Sequence, residues 1–151
     1  MKNFIKFLFK RREKIEKKDR LFYVRTSKIS DKQETKSGLI TGLGVEKGFK
    51  FIEITFEKPP VIKSKERGIS VVEQQVEVEF TNREIYDDLK AFQDYDFSVS
   101  LLHIKPNGKA FLYGENIGLF VTGLSEKKLS LQGKEEDTFY SVDSDFAAGL
   151  V

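Results

Sequence analysis

The stretch HIKPNGKAFLYGENIGLFVTG, residues 103–123, holds the single histidine of the chain and several closely spaced glycines, which are residue types that could do chemistry. Glycines cradle a phosphate group when they lead into a helix N-terminus, where unpaired backbone N–H groups point at the anion. Here they lead into apolar runs that are typical of strands. We therefore predict turns between strands in this stretch, and no phosphate site.

Two turns are predicted within it. Pro106, Asn107 and Gly108 form the first, because Pro fixes the φ that starts a turn and Gly adopts the positive φ that closes it. An Asn-Gly pair between apolar runs is also the strongest short-range signal for a β-hairpin. Gly114 and Gly118 bound the second reversal.

Two further features could be read as sites. Residues 38–48 (GLITGLGVEKG) are rich in glycine but lack the following helix that a dinucleotide-binding fingerprint requires, since another strand pattern comes next. His103 has no second histidine to share a metal and no Ser or Asp at the spacing of a catalytic triad. A partly buried histidine in a strand is the favoured interpretation.

Acidic residues near the end of the sequence offer oxygen ligands, which a hard cation such as Ca²⁺ prefers. Their spacing matches no calcium-binding loop, so a solvated acidic turn is favoured. The chain contains no Cys, which excludes disulfides, thiolate metal sites and cysteine nucleophiles. We therefore predict no catalytic residues, metal or cofactor, and a protein that is not an enzyme. The carboxylates concerned are Glu135, Glu136, Asp137, Asp143 and Asp145.

The charge of the chain is unevenly distributed. Residues 1–20 carry nine Lys or Arg and three Asp or Glu, a balance of +6, whereas the remaining residues balance to −4. We predict a basic amphipathic N-terminal arm over residues 1–25, followed by a polar linker over residues 26–37. The apolar run of the arm is far shorter than the roughly 20 residues that span a bilayer. The predicted contact residues of this arm are Phe4, Phe7, Leu8, Lys10, Arg11, Arg12, Lys14, Lys17 and Lys18.

Three kinds of partner fit such an arm. The favoured one is a neighbouring protein subunit, on which the arm docks with its charges in water. The phosphates of a nucleic acid come second, and this binding would depend strongly on salt. An anionic membrane surface, with the apolar side chains inserted, comes third.

The rest of the chain is dominated by strand patterns. In residues 71–80, Val76 and Val78 fall on one face and Glu77 and Glu79 on the other, as in a half-exposed strand. Residues 61–70 are strongly charged and are interpreted as a loop or projecting hairpin.

One helix is predicted at residues 82–94, where Ile85, Leu89 and Phe92 recur at helical spacing and Thr81 or Asn82 can cap the N-terminus. These patterns predict a mainly β fold: a β-sandwich or barrel over residues 38–151, with this one flanking helix and the N-terminal arm.

About half of the chain, residues 76–151, resembles small virion proteins of tailed bacteriophages that infect Bacteroidetes, including the crAss-like phages. In this pattern a strand leads into an Asn-Gly turn, a short strand, two glycines separated by three residues, a second strand, a polar segment and a last amphipathic strand. Lys105 and Pro106 stand where the pattern has an acidic residue. The matching positions are Asn107, Gly108, Lys109, Leu112, Gly114, Gly118, Leu119 and Val121.

The resemblance implies a virion structural protein: a head–tail connector, neck or tail component that assembles into homo-oligomeric rings around the DNA channel. It implies the portal or adjacent ring and tail proteins as further partners, DNA that is near but not specifically bound, and no membrane. The protein would be made in the cytoplasm of the bacterial host and reside in the virion. The alternatives are a packaged or DNA-binding protein that uses its basic arm and, third, a peripheral membrane protein.

Overall fold

The computed structural model describes residues 18–35, 37–67, 71–136 and 140–151. These residues form one seven-stranded sheet, one four-stranded sheet and two α-helices. The predicted mainly β, sandwich-like class is confirmed. The strands are β1 (Arg20–Arg25), β2 (Ile29–Glu34), β3 (Leu39–Val45), β4 (Ile52–Ile54), β5 (Val61–Glu66), β6 (Val72–Glu79), β7 (Val99–Ile104), β8 (Ala110–Tyr113), β9 (Phe120–Leu124), β10 (Lys128–Glu135) and β11 (Tyr140–Val142).

The larger sheet has the order β2-β3-β11-β8-β7-β1-β4, and the smaller sheet the order β5-β6-β10-β9. Both faces of the larger sheet are covered. In β1, Leu21 and Tyr23 face a core shared with the smaller sheet, while Phe22 and Val24 face a second core on the opposite side. This arrangement explains why β1 is an unbroken apolar run without polar alternation.

The two sheets meet at two places. An isolated antiparallel bridge joins Phe56 to Phe80, and another joins Val99 to Leu119. The first core is therefore enclosed by strands of both sheets, as in a partly closed barrel. Side chains from β6, such as Val76 and Val78, project into it, as their alternation predicted.

The domain begins earlier in the chain than predicted. β1 lies between β7 and β4, inside the larger sheet, and β2 pairs with β3 at the edge of that sheet. The division into an arm ending at residue 25, a linker at 26–37 and a domain from 38 is therefore wrong. The linker prediction failed because an exposed edge strand such as β2 needs no apolar alternation.

The helix predicted at 82–94 is confirmed, as a 3₁₀ turn at Arg83–Ile85 followed by α1 (Tyr86–Asp94). Leu89 and Phe92 of α1 are buried in the first core. Asn82 does not cap the helix with its side chain. Its Oδ1 accepts a hydrogen bond from Thr55 N at 2.9 Å, and its Nδ2 donates to Glu53 O at 2.8 Å, which ties the start of the helix to β4.

A second helix was not predicted. α2 (Ser144–Leu150) packs Ala147 into the second core and covers the outer face of the larger sheet. Asp143 caps it, because its carboxylate accepts a hydrogen bond from Phe146 N at 3.0 Å. An Asp immediately before a first turn that holds another Asp is an ordinary helix-start signal that the sequence analysis did not use.

Candidate functional site

The glycine turn at residues 114–118 is part of the architecture of the fold. Gly114 and Gly118 both adopt positive φ, of 63° and 98°. The N–H groups of Ile117 and Gly118 are the donors that would hold an anion, and both point at Glu135, whose Oε1 lies 2.8 Å from Gly118 N. Because this carboxylate of the same chain occupies both donors, neither amide is available to a phosphate.

Buried polar side chains fix the other end of the same turn. Gly114 N donates to Gln74 Oε1 at 3.0 Å, and Ser100 Oγ donates to Gly114 O at 2.7 Å. Both side chains are fully buried. Lys32 of the edge strand β2 pairs with the buried Glu115, so the turn also holds β2 against the domain.

The first predicted turn is present between β7 and β8. Gly108 N donates to Lys105 O at 2.9 Å, Asn107 Oδ1 accepts from Lys109 N at 3.0 Å, and φ at Gly108 is 86°. Pro106 lies within this turn. Open space surrounds the position where a Cβ on Gly108 would stand, so its glycine is required by backbone conformation alone.

His103 lies in β7 and is only 7% exposed, which agrees with the strand interpretation. Its Nε2 is 2.9 Å from Asp19 Oδ1, at the point where the described chain enters β1. Tyr113 packs beside the imidazole ring. This pair anchors the beginning of β1.

The interpretation of the C-terminal carboxylates as a solvated turn is wrong for two of them. Glu135 is 3% exposed and holds the glycine turn, and Asp143 caps α2. Glu136 and Asp145 are exposed, and Asp137 lies outside the described residues. Among the described residues, no group of three or more His, Asp or Glu side chains is arranged to hold a metal ion.

Most of the predicted contact residues of the arm fall outside the part of the chain that the structure describes. These are Phe4, Phe7, Leu8, Lys10, Arg11, Arg12, Lys14 and Lys17. Lys18 is described and is exposed.

A groove of about 310 Å³ is the candidate binding site that the sequence analysis missed. It lies between α1, the end of β1 and the loop that joins β3 to β4. We group its lining side chains under three names: the aromatic floor (Tyr23, Phe92 and Phe97), the α1 wall (Asp88 and Ala91) and the basic wall (Arg25, Phe49 and Lys50).

Aromatic side chains stay exposed around this groove. Phe49 is 45% exposed and Tyr95, just beyond α1, is 70% exposed. Tyr95 stacks on Phe97 with ring centroids 5.6 Å apart, and the Arg25 guanidinium lies 3.5 Å from the centroid of the Phe97 ring. Exposed aromatic surface can bury an apolar group of a ligand, and a guanidinium beside it can pair with a carboxylate.

A hydrogen bond between Tyr23 and Asp88 joins two sides of the groove lining. The Tyr23 hydroxyl donates a hydrogen bond to Asp88 Oδ2 at 2.6 Å. Burial raises the pKa of Tyr23 above its ordinary value, and the hydrogen bond to Asp88 raises it further. The phenol is therefore protonated at neutral pH, and it serves to hold α1 against β1 rather than as a nucleophile.

Comparison of the chain with protein-family models, with curated proteins and with solved structures found no match in any of the three. No helix within the described ranges is long and apolar enough to cross a membrane.

Proposed function

We propose that this protein is a structural subunit of a tailed-phage virion that assembles into rings, as a head–tail connector, neck or tail component around the DNA channel. The proposal rests on the resemblance of residues 76–151 to small phage virion proteins and on one structural observation. That observation is the open edge of the smaller sheet at β5.

β5 is a regular edge strand. It pairs with β6 along its whole length, from Val61 opposite Glu77 to Glu66 opposite Val72. Within the described residues no strand pairs with its other side. Residues 61–70, which were interpreted from sequence as a charged loop or projecting hairpin, thus include a strand that pairs antiparallel with β6 and whose outer main-chain groups can pair with another chain.

The side chains of β5 fit a selective contact. Val61 is 51% exposed and gives the edge an apolar end. Lys63 and Lys65 are exposed further along the strand. Charged side chains on an edge oppose indiscriminate pairing, so only a partner with complementary charges would add to this sheet.

In a ring, each subunit contacts its neighbours through two different surfaces. We assign the second contact to the basic N-terminal segment, which would dock on the body of the neighbour and not on β5, because its balance of +6 complements the balance of −4 in the rest of the chain. The chain enters the domain at a fixed point, where Asp19 pairs with His103. We propose that residues 1–17 contact the next subunit, with this pair as their anchor on the domain.

Sedimentation velocity of the full chain tests this proposal. We expect oligomers that shift toward monomer in Val61→Glu and after deletion of residues 1–17. Tyr95→Ser is the control. It also replaces an exposed bulky side chain, but one that lies outside β5 and the N-terminal segment, so this variant should sediment like the wild type. Oligomers that persist unchanged in both Val61→Glu and the deletion variant would overturn the assignment of these two surfaces.

A further inference from the structure

We propose that the groove between α1, β1 and the β3–β4 loop binds an acidic peptide segment of a partner protein. In this arrangement a bulky apolar side chain of the peptide lies on the aromatic floor, and carboxylates beside it meet Arg25 and Lys50. This inference is independent of ring assembly, because it uses a different part of the surface from β5.

Aromatic side chains in and around the groove provide the apolar contacts of the proposed site. Phe92 and Phe97 pack edge-to-face below the opening, with ring centroids 6.2 Å apart. Phe49 and Tyr95 are exposed near them, and the Lys28 ammonium lies over one face of the Phe49 ring. A bulky side chain packed against these rings would remove apolar surface from water, which is the main source of affinity at peptide anchors.

The basic wall provides the polar half. Arg25 lies over the Phe97 ring, so its planar guanidinium is held in place, and Lys50 is exposed and lines the same groove. Neither has a carboxylate within ion-pair distance in the described part of the chain, whereas the nearby Lys28 is paired with Glu46 at 2.6 Å. A guanidinium held flat in this way binds a carboxylate through two parallel hydrogen bonds.

The α1 wall argues against an extended polyanion. Asp88 lines the groove and Asp87 is exposed next to it in sequence, whereas the exposed Asp94 is already paired with Lys90. A nucleic acid strand that left the groove across α1 would place phosphates beside these carboxylates. A peptide with only one or two acidic residues can direct them to the basic wall and leave α1 untouched.

The basic N-terminal segment of this chain is also a poor occupant. Its Lys and Arg side chains would come close to Arg25 and Lys50, and like charges in contact oppose binding. The charges of the groove therefore favour an acidic segment from another protein.

Nuclear magnetic resonance titration of the full chain tests this inference. The probe is a synthetic peptide with one Phe between Glu and Asp in a Gly-Ser background, compared with the same peptide carrying Lys at both acidic positions and with a short oligothymidylate. We expect saturable shifts of the backbone amides of Gly48, Lys50 and Ala91 with a Kd below about 1 mM for the acidic peptide alone.

Lys50→Glu should weaken binding of the acidic peptide at least about tenfold, since it reverses a charge at an exposed position where folding is not affected. Phe49→Ser should weaken it similarly through the apolar contact. Lys109→Glu, which reverses the charge of an exposed Lys in the β7–β8 turn, is the matched control and should leave the Kd unchanged. Absence of shifts at millimolar peptide, equal losses in Lys109→Glu, or tighter binding of oligothymidylate would each overturn the proposal.

Discussion

The carboxylate of Glu135 lies 2.8 Å from the backbone nitrogen of Gly118 and accepts its hydrogen bond in a fully enclosed position. The two residues belong to β10 and to the turn before β9, so the contact closes the end of the smaller sheet onto the larger one. The glycine turn at residues 114–118, whose amides could bind an external anion, thus binds the carboxylate of Glu135 from the same chain. The glycines serve folding, and binding is left to surfaces elsewhere.

Loss of this carboxylate should destabilise the protein strongly. Glu135→Ala leaves the buried N–H of Gly118 without an acceptor, which costs about 1–3 kcal/mol, and it also removes the acceptor of the part-buried Ile117 N–H, which costs less. We expect the free energy of unfolding, measured with urea, to fall by about 2–4 kcal/mol. Glu136→Ala changes an exposed neighbour and should alter it by less than about 0.5 kcal/mol. Equal effects of the two substitutions would contradict the role of Glu135.

The turns at Gly108 and at Gly118 should respond differently to replacement of the glycine by Ala. Gly108→Ala places its Cβ in open space, so the cost is that of positive φ alone, about 1–2 kcal/mol. In Gly118→Ala the Cβ would stand 2.5 Å from Thr26 Oγ1 and closer still to Ser98 Cβ, in addition to the positive φ. We expect Gly118→Ala to cost more than about 3 kcal/mol, or to prevent folding. Thermal denaturation of the two variants side by side measures the difference, and equal melting temperatures would refute it.

Alkaline pH should destabilise the fold through buried tyrosines. Burial raises the pKa of Tyr23 and of Tyr113 in the folded protein, whereas in the unfolded chain each phenol ionises near its ordinary pKa of about 10. Above that pH the unfolded state binds fewer protons, so the free energy of unfolding falls as pH rises, by up to about 1.4 kcal/mol per pH unit for each group. Below about pH 9 these groups contribute no slope.

Tyr23→Phe should reduce this alkaline slope by the contribution of one group. At neutral pH the same variant loses the hydrogen bond to Asp88, at a cost of about 1 kcal/mol. Tyr113→Phe should reduce the slope in the same way without affecting that hydrogen bond. Urea unfolding at pH 7 to 11 measures both effects, and a Tyr23→Phe slope identical to that of the wild type would show that Tyr23 does not couple to folding.

Local signals in the sequence predicted much of the fold. The alternation of Val76 and Val78 with glutamates fixed the exposed and buried faces of β6, and the Asn107-Gly108 pair located a hairpin turn. The spacing of Leu89 and Phe92 located α1. Each of these signals is complete within a few residues, which is why it could be interpreted without the structure.

Elements whose identity depends on distant contacts were missed. The apolar run of β1 becomes interpretable as a strand only when β7 and β4 cover its two sides, because next to a basic segment it resembles an amphipathic arm. The groove is assembled from Arg25, Phe49 and Phe97, which are brought together by the pairing of Tyr23 with Ile52 and by the packing of α1. Exposed aromatic residues next to Lys or Asp, such as Phe49 and Tyr95, were the available signal.

The location of the protein in tailed virions tests the central claim most directly. Virions purified from the host should contain the protein, and immunogold labelling should place it at a single level, at the head–tail junction or in the tail. Negative-stain images of released material should show closed rings. Virions without the protein, together with full chain that remains strictly monomeric in solution, would contradict the account.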